Sequence, residues 1–248
     1  MIKFESLASS SAGCAYKVSA GGSSLLIDAG LPFREILKAF KFRLTADCRG
    51  ALISHEHQDH ARCIPDILKS GIKAYASAPA WSALRDRVPR VCQFFHNAVE
   101  IKSHTSYWLG DWHVLPFDAV HDGSGGCLGF MIGHTSEKGS LVYLTDSAYS
   151  KHKFEGVAIL AIECNHSTAI LKRNVHLGVV DIERAKRTMR THMSLERLLK
   201  MLAANDLSKV EEIHLLHLSN ENSNEEEFKR AVTRATGIPT FVAAARSH

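Results

Sequence analysis

No apolar run in this 248-residue chain is long enough to span a bilayer. The stretch from Met1 to Ser11 lacks the apolar core of a secretory signal. There is no C-x-x-C pair: Cys14, Cys48, Cys63, Cys92, Cys127 and Cys164 stand singly along the chain. That scatter excludes a zinc knuckle and speaks against a disulfide framework, so the thiols read as small buried hydrophobes in a reducing compartment. Repeats, low-complexity tracts and linkers are also absent. The expectation is a soluble, cytoplasmic protein with no membrane contact and one domain over residues 1–248. A net charge of +4 is too mild to imply a nucleic-acid partner by itself.

What is present is a core-forming balance, 45% hydrophobic and 23% charged, together with fifteen histidines. Histidine is the commonest metal ligand, so its placement carries weight. The chain opens with strand patterns at Ile2 to Leu7, Ala15 to Val18 and Ser24 to Asp28. A helical pattern over Pro32 to Phe42 follows, with Phe33, Ile36, Leu37 and Phe40 on one face. Ala51 to Ser54 and Ile72 to Ala76 read as strands, Ala61 to Lys69 and Pro79 to Arg87 as helices. In the second half, strands are expected at Trp112 to Phe117, Leu128 to Ile132, Leu141 to Thr145, Val157 to Ile162, Ile213 to Leu218 and Thr240 to Ala244. Helices are expected at Ile182 to Arg190, Leu195 to Ala204 and Asn224 to Thr236. Meanders followed by strand–helix alternation in both halves predict an α+β fold, two sheets face to face with helices outside.

The chemistry concentrates in Ser54-His55-Glu56-His57-Gln58-Asp59-His60. Three imidazoles and a carboxylate follow a buried strand, a borderline donor set suited to zinc, manganese or iron. A loop can aim such close neighbours at two adjacent ions, whereas a regular strand would split them between faces. Four side chains do not complete two sites. His121 follows the strand at Trp112, Asp146 ends the apolar run Leu141 to Thr145, and His217 ends the run from Ile213.

This order, H-x-H-x-D-H, then a histidine, an aspartate and a final histidine, each after a strand, resembles the metallo-β-lactamase superfamily. Within it the chain is similar to the YycJ/WalJ family of small bacterial nuclease-like proteins, kin of RNase Z and RNase J. Supporting segments are Ser6 to Gly13, Leu25 to Gly30, Pro116-Phe117 leading to His121-Asp122, Tyr143 to Asp146, Glu163 to His166 and His192 to Glu196. The sequence differs at Ala12-Gly13, Asn165-His166-Ser167 and Thr191 to Ser194, where the family pattern has G-N, N-H-D and G-H-L-S. None of these removes a ligand. The resemblance implies a four-layer αββα metallo-β-lactamase sandwich that holds two divalent ions, zinc or manganese. His55, His57 and His121 would hold one ion, Asp59, His60 and His217 the other, and Asp146 would bridge them. A water held between two dications loses its proton near neutral pH and would act as the nucleophile.

Asp59 and His192 are the expected catalytic residues, Asp59 doubling as a ligand. His192 precedes the Leu195 helix with Ser194 as a cap, and helix N-termini favour phosphate. Its imidazole would bind the scissile phosphate or protonate the leaving oxygen. Glu163 and His166 read as support behind the metals or as structural residues, Asp28 as a structural carboxylate behind the site, and Asp122 as a phosphate neighbour or turn cap. His96, His104, His113, His134, His152, His176, His214 and His248 read as packing or surface residues.

Between Lys172 and Lys200 the basic residues Lys172, Arg173, Arg184, Lys186, Arg187, Arg190, Arg197 and Lys200 face only Asp181, Glu183 and Glu196. The run leads into His192 and would attract a polyanion. The expected function is a binuclear metal-dependent hydrolase, a phosphodiesterase acting on DNA as a 5′ exonuclease-like nuclease. The alternative is a cyclic-nucleotide or other small-molecule phosphodiesterase. Thiol-ester or β-lactam hydrolysis fits Asp146 and His192 less well, and a decayed binding module would not keep every ligand. Only 45 residues (147–191) separate Asp146 from His192, too few for an inserted RNA-clamp domain.

Overall fold

The structure, a computed structural model, describes residues 1–121 and 126–243. Asp122, Ala244 and His248, singled out above, lie outside the described residues.

Each half of the chain builds one sheet whose strands lie side by side in chain order. The first sheet comprises β1 (Lys3–Ser10), β2 (Gly13–Ala20), β3 (Ser23–Ile27), β4 (Cys48–Leu52), β5 (Ala74–Ala76) and β6 (Ala98–Glu100). The second comprises β7 (Tyr107–Leu109), β8 (Trp112–Asp118), β9 (Leu128–His134), β10 (Ser140–Leu144), β11 (Val157–Glu163), β12 (Glu212–Leu216) and β13 (Thr240–Val242). Both start as antiparallel meanders and finish as parallel strands, from β3 onward in one and from β10 onward in the other. Parallel neighbours need crossovers, and these supply the helices. They are α1 (Phe33–Ala39), α2 (Leu44–Asp47), α3 (Gln58–Ala61), α4 (Ile64–Lys69) and α5 (Ala78–Arg87) in the first half. In the second are α6 (Thr168–His176), α7 (Ile182–Thr191), α8 (Leu195–Ala203) and α9 (Glu225–Thr236).

Strand alternation sorts the buried side chains into layers. Leu25 and Ile27 of β3 join Tyr143 of β10, Trp112 and Phe130 between the sheets. Leu26 points the other way, to a cluster with Ile36, Phe40 and Ile64 from the first-half helices. Val142 and Leu144 likewise face Leu198, Leu202 and Phe228 of the second-half helices. Three apolar interfaces make four layers, the αββα sandwich expected from the sequence.

The differences from expectation are local. The histidine-rich stretch is only partly a loop: Gln58–Ala61 forms a helical turn with His57 as its N-cap, so Asp59 and His60 sit on a helix. The predicted helix at Ala61 to Lys69 starts instead at Ile64. The three-residue strands β6 and β7, the 3₁₀ segment Pro89–Asn97 and helix α6 were not anticipated. Caps behave as their residue types demand: Ser194 accepts from the Arg197 amide, Asn224 from Glu227, and Asp181 from Glu183 and Arg184. Among the described residues no helix is long and apolar enough to cross a membrane.

Candidate metal centre

The site lies where strands of both sheets end. Asp28 follows β3, Asp146 follows β10 by two residues, and His217 follows β12. All three carry left-handed backbones, with φ of 56°, 44° and 54°. Such a conformation is costly for a residue with a Cβ and persists only where the surroundings impose it. Here it turns each side chain off its strand and into a common space.

One donor set comprises His55, His57, His121 and Asp146, whose ligand atoms lie within 4.8 Å of one another. His55 Nε2 is 3.0 Å from His57 Nδ1, and His121 Nε2 is 3.3 Å from the same atom. Asp146 Oδ2 is 3.6 Å from His55 Nε2 and 3.8 Å from His121 Nε2. The second set is Asp59, His60, His217 and again Asp146. Asp59 Oδ2 lies 3.6 Å from His60 Nε2 and 3.5 Å from His217 Nε2. Asp146 presents Oδ2 at 3.6 Å to His60 and Oδ1 at 3.7 Å to His217. A tetrahedral ion with bonds of about 2.0–2.1 Å places its ligand atoms about 3.3 Å apart, so both sets have the right scale.

Protons are already assigned on the far side of these rings. The Ser54 hydroxyl donates to Asp28, so its oxygen accepts from His55 Nδ1 at 3.0 Å. His60 Nδ1 donates to Asp28 Oδ2 at 2.7 Å, and His121 Nδ1 donates to the Thr191 carbonyl at 3.1 Å. Each bond fixes the tautomer and leaves Nε2 with a lone pair facing inward. Among the described residues, Nε2 of His60 and of His217 are buried with no hydrogen-bond partner. Buried polar atoms without partners are rare and costly, so converging lone pairs of this kind fit a cation. Asp146 fits the same picture. Its oxygens lie 3.6 Å from Nε2 of His55 and of His60, 3.7 Å from that of His217 and 3.8 Å from that of His121.

A family profile described as a beta-lactamase superfamily domain matches residues 24–217, which span both donor sets. The chain belongs to the metallo-β-lactamase superfamily. Two curated relatives of this superfamily member are bacterial. An exodeoxyribonuclease YycJ of Bacillus anthracis is 26% identical over 243 residues, covering 94% of this chain and 88% of that protein. An exodeoxyribonuclease WalJ of Streptococcus pneumoniae is 28% identical over 237 residues, covering 90% and 84%. In fold, the metallo-beta-lactamase fold protein YhfI from Bacillus subtilis aligns with a TM-score of 0.71 at 15% identity, covering 99% of this chain and 98% of that one.

Around this superfamily centre the outer residues divide clearly. Glu163, the last residue of β11, is fully buried. Its Oε1 accepts from His192 Nδ1 at 2.6 Å, and its Oε2 accepts from the Ser147 and Met193 amides at 2.9 and 3.0 Å. The carboxylate thus aims His192 at the donor sets, where its ring stacks on His217 at 5.6 Å and meets His121 edge-on at 5.5 Å. Burial works to lower the pKa of His192, but Glu163 outweighs it and the ring keeps its proton to higher pH than usual. His166 tethers the start of the Leu195 helix through its main chain. Its carbonyl accepts from the Leu195 amide at 2.9 Å, and burial depresses its pKa to about 4. Its unfolded counterpart protonates near pH 6.5, so folded stability falls as pH drops from about 6.5 to about 4. His166→Asn should remove about 2–4 kcal/mol of that acid-side loss, read as a flatter pH profile of unfolding free energy.

A cavity of ≈ 420 Å³ opens over the centre, lined by Ser11, His57, Asp59, His121, Asp146, Arg187, Thr191, His192 and His217. A second hollow of ≈ 250 Å³ shares Ser11, Arg187, His192 and His217 with it. Ser11, in the β1–β2 turn, was not foreseen as a site residue; the serine run Ser9 to Ser11 is its only trace in the sequence. The basic run does not act as a single patch. Arg187 lines both hollows, and Arg184 lines the second while pairing with Glu221 at 2.9 Å. Arg197 is committed to the carbonyls of Ala148 and Met189, and Arg190 lines neither hollow.

Proposed function

We propose that this protein is a cytoplasmic, binuclear metal-dependent phosphodiesterase that cleaves DNA, working inward from a 5′ end. The observation that carries the reading is the pair of converging donor sets sharing Asp146 at the floor of an open trough. His55, His57 and His121 would hold one divalent ion and Asp59, His60 and His217 the other, with Asp146 between them and zinc or manganese in both positions. Bound there, the ions would supply an activated water and electrophilic help at the phosphoryl oxygens.

The chain's own residues do the rest. Arg187 and Ser11 at the trough mouth hold and orient phosphate. His192, proton-loaded through Glu163, gives its proton to the leaving oxygen. Asp28 and Ser54 keep the imidazoles turned inward. The second hollow extends the trough beyond one nucleotide, and the relatives' names as exodeoxyribonucleases support a polymeric DNA substrate. A single domain over residues 1–248, with no inserted clamp, suits a strand lying in an open groove.

The test is cleavage of end-labelled DNA and of cyclic nucleotides by metal-reconstituted protein, at low and high salt. DNA cleavage should dominate and weaken steeply with salt, because each neutralised phosphate releases counterions. Arg187→Ala should flatten the slope of log affinity against log salt by about one unit, and Arg190→Ala should leave it unchanged. Salt-insensitive hydrolysis of cyclic nucleotides without DNA cleavage would assign the site to a small-molecule phosphodiesterase instead.

A further inference from the structure

We propose that Cys14 is a thiolate ligand at the second donor set, beside Asp59, His60 and His217, and that it biases that position toward zinc over manganese. This rests on the two-metal reading above. The sequence offers Cys14 only as a small packing residue. In the fold its Sγ lies within 4.8 Å of ring nitrogens of His60 and His217, and all three side chains are buried. Both rings carry a buried Nε2 with no hydrogen-bond partner among the described residues.

The backbone holds the thiol in place. A Cβ on Gly30 would strike the Asp59 carbonyl oxygen at 1.6 Å and the Cys14 amide nitrogen at 2.7 Å. A Cβ on Gly13 would meet the Gly30 carbonyl oxygen at 2.7 Å. Two glycines therefore let the β1–β2 hairpin press against the turn that carries Asp59, and the Gly30 amide donates to the Cys14 carbonyl at 2.9 Å. From the same hairpin, Ser9 Oγ accepts from the His217 amide at 2.8 Å. Cys14 is thus positioned against both imidazoles by main-chain contacts. Its Sγ also makes a weak donation to the Ser10 carbonyl at 3.3 Å.

Binding would form one metal–sulfur bond and release the thiol proton to solvent. The other donors are imidazole and carboxylate, which accept zinc and manganese alike, whereas a thiolate is soft and favours zinc. Cys14 would therefore decide the metal at this position.

Cobalt(II) titration of the metal-free protein tests this without reference to activity. The wild type should show a near-ultraviolet sulfur-to-cobalt charge-transfer band. Cys14→Ser should lose that band but keep the visible ligand-field bands. Cys127→Ser should keep both, although Cys127 Sγ lies 3.8 Å from the Asp146 carbonyl oxygen. In competition, Cys14→Ser should lower the zinc-over-manganese preference about 10-fold or more, at least the scale seen for lost supporting residues. Should the variant fail to fold, X-ray absorption on the wild-type zinc protein must still find one sulfur neighbour. Bound cobalt or zinc without any sulfur signature overturns the role of Cys14 and leaves the two-metal reading standing. No bound metal overturns both.

Discussion

His192→Ala should lower turnover on DNA by about two to four orders of magnitude, the range for lost acid–base help, with metal content unchanged. The argument is geometric. His192 lines the cavity and stacks on His217, yet its Nδ1 proton is committed to Glu163 at 2.6 Å. A ring anchored this way presents its other nitrogen to the cavity, where a leaving oxygen would lie. Glu163→Gln should keep the fold and move the alkaline limb of the rate profile to lower pH. The carboxylate holds the His192 pKa up, so removing its charge lets the proton leave earlier. Metal analysis run beside kinetics decides the point. Lost metal in His192→Ala would make the residue a ligand, and an unchanged rate would make it a bystander.

The largest effect on stability is expected at Asp28. This fully buried carboxylate accepts from the Ser54 amide at 2.8 Å, the Ser54 hydroxyl at 2.9 Å, His60 Nδ1 at 2.7 Å and the Tyr143 hydroxyl at 2.6 Å. Asp28→Ala strands those donors inside the fold. Breaking a buried charged network in this way costs about 3–5 kcal/mol, whereas Tyr143→Phe removes one hydrogen bond and should cost about 1 kcal/mol. Metal-free protein unfolded in denaturant gives both numbers. The same change frees His60 to rotate, so affinity at the second donor set should fall about 10- to 100-fold. An Asp28→Ala protein as stable as wild type would show that Asp28 is not the organising carboxylate.

Much of this was legible because the fold delivers its reactive groups at strand ends. Ser24 to Asp28, Leu141 to Asp146, Val157 to Glu163 and Ile213 to His217 each read as an apolar run closing on a polar group, and each group sits at or just behind the centre. The seven donor residues named from the sequence lie in two adjoining sets. What was not legible depends on distant pairing. The His217 amide meets Ser9 across 208 positions, and no local pattern reports that the β1–β2 hairpin brings Ser11 and Cys14 to the site. The basic run reaches the site only in part. A helix distributes its residues around an axis, so Arg187 lines both hollows, Arg184 lines the second beside Glu221, and Arg190 lines neither. Strands of three residues, such as β6 and β7, are too short to show a period of two.

The most direct test of the account is a crystal of metal-reconstituted protein measured for anomalous scattering. It should show two peaks about 4 Å apart, the spacing of two-metal sites, with Asp146 contacting both. His55, His57 and His121 should surround one peak, and Asp59, His60 and His217 the other. A single peak at full metal occupancy, or Asp146 or His217 turned away from the peaks, would contradict it.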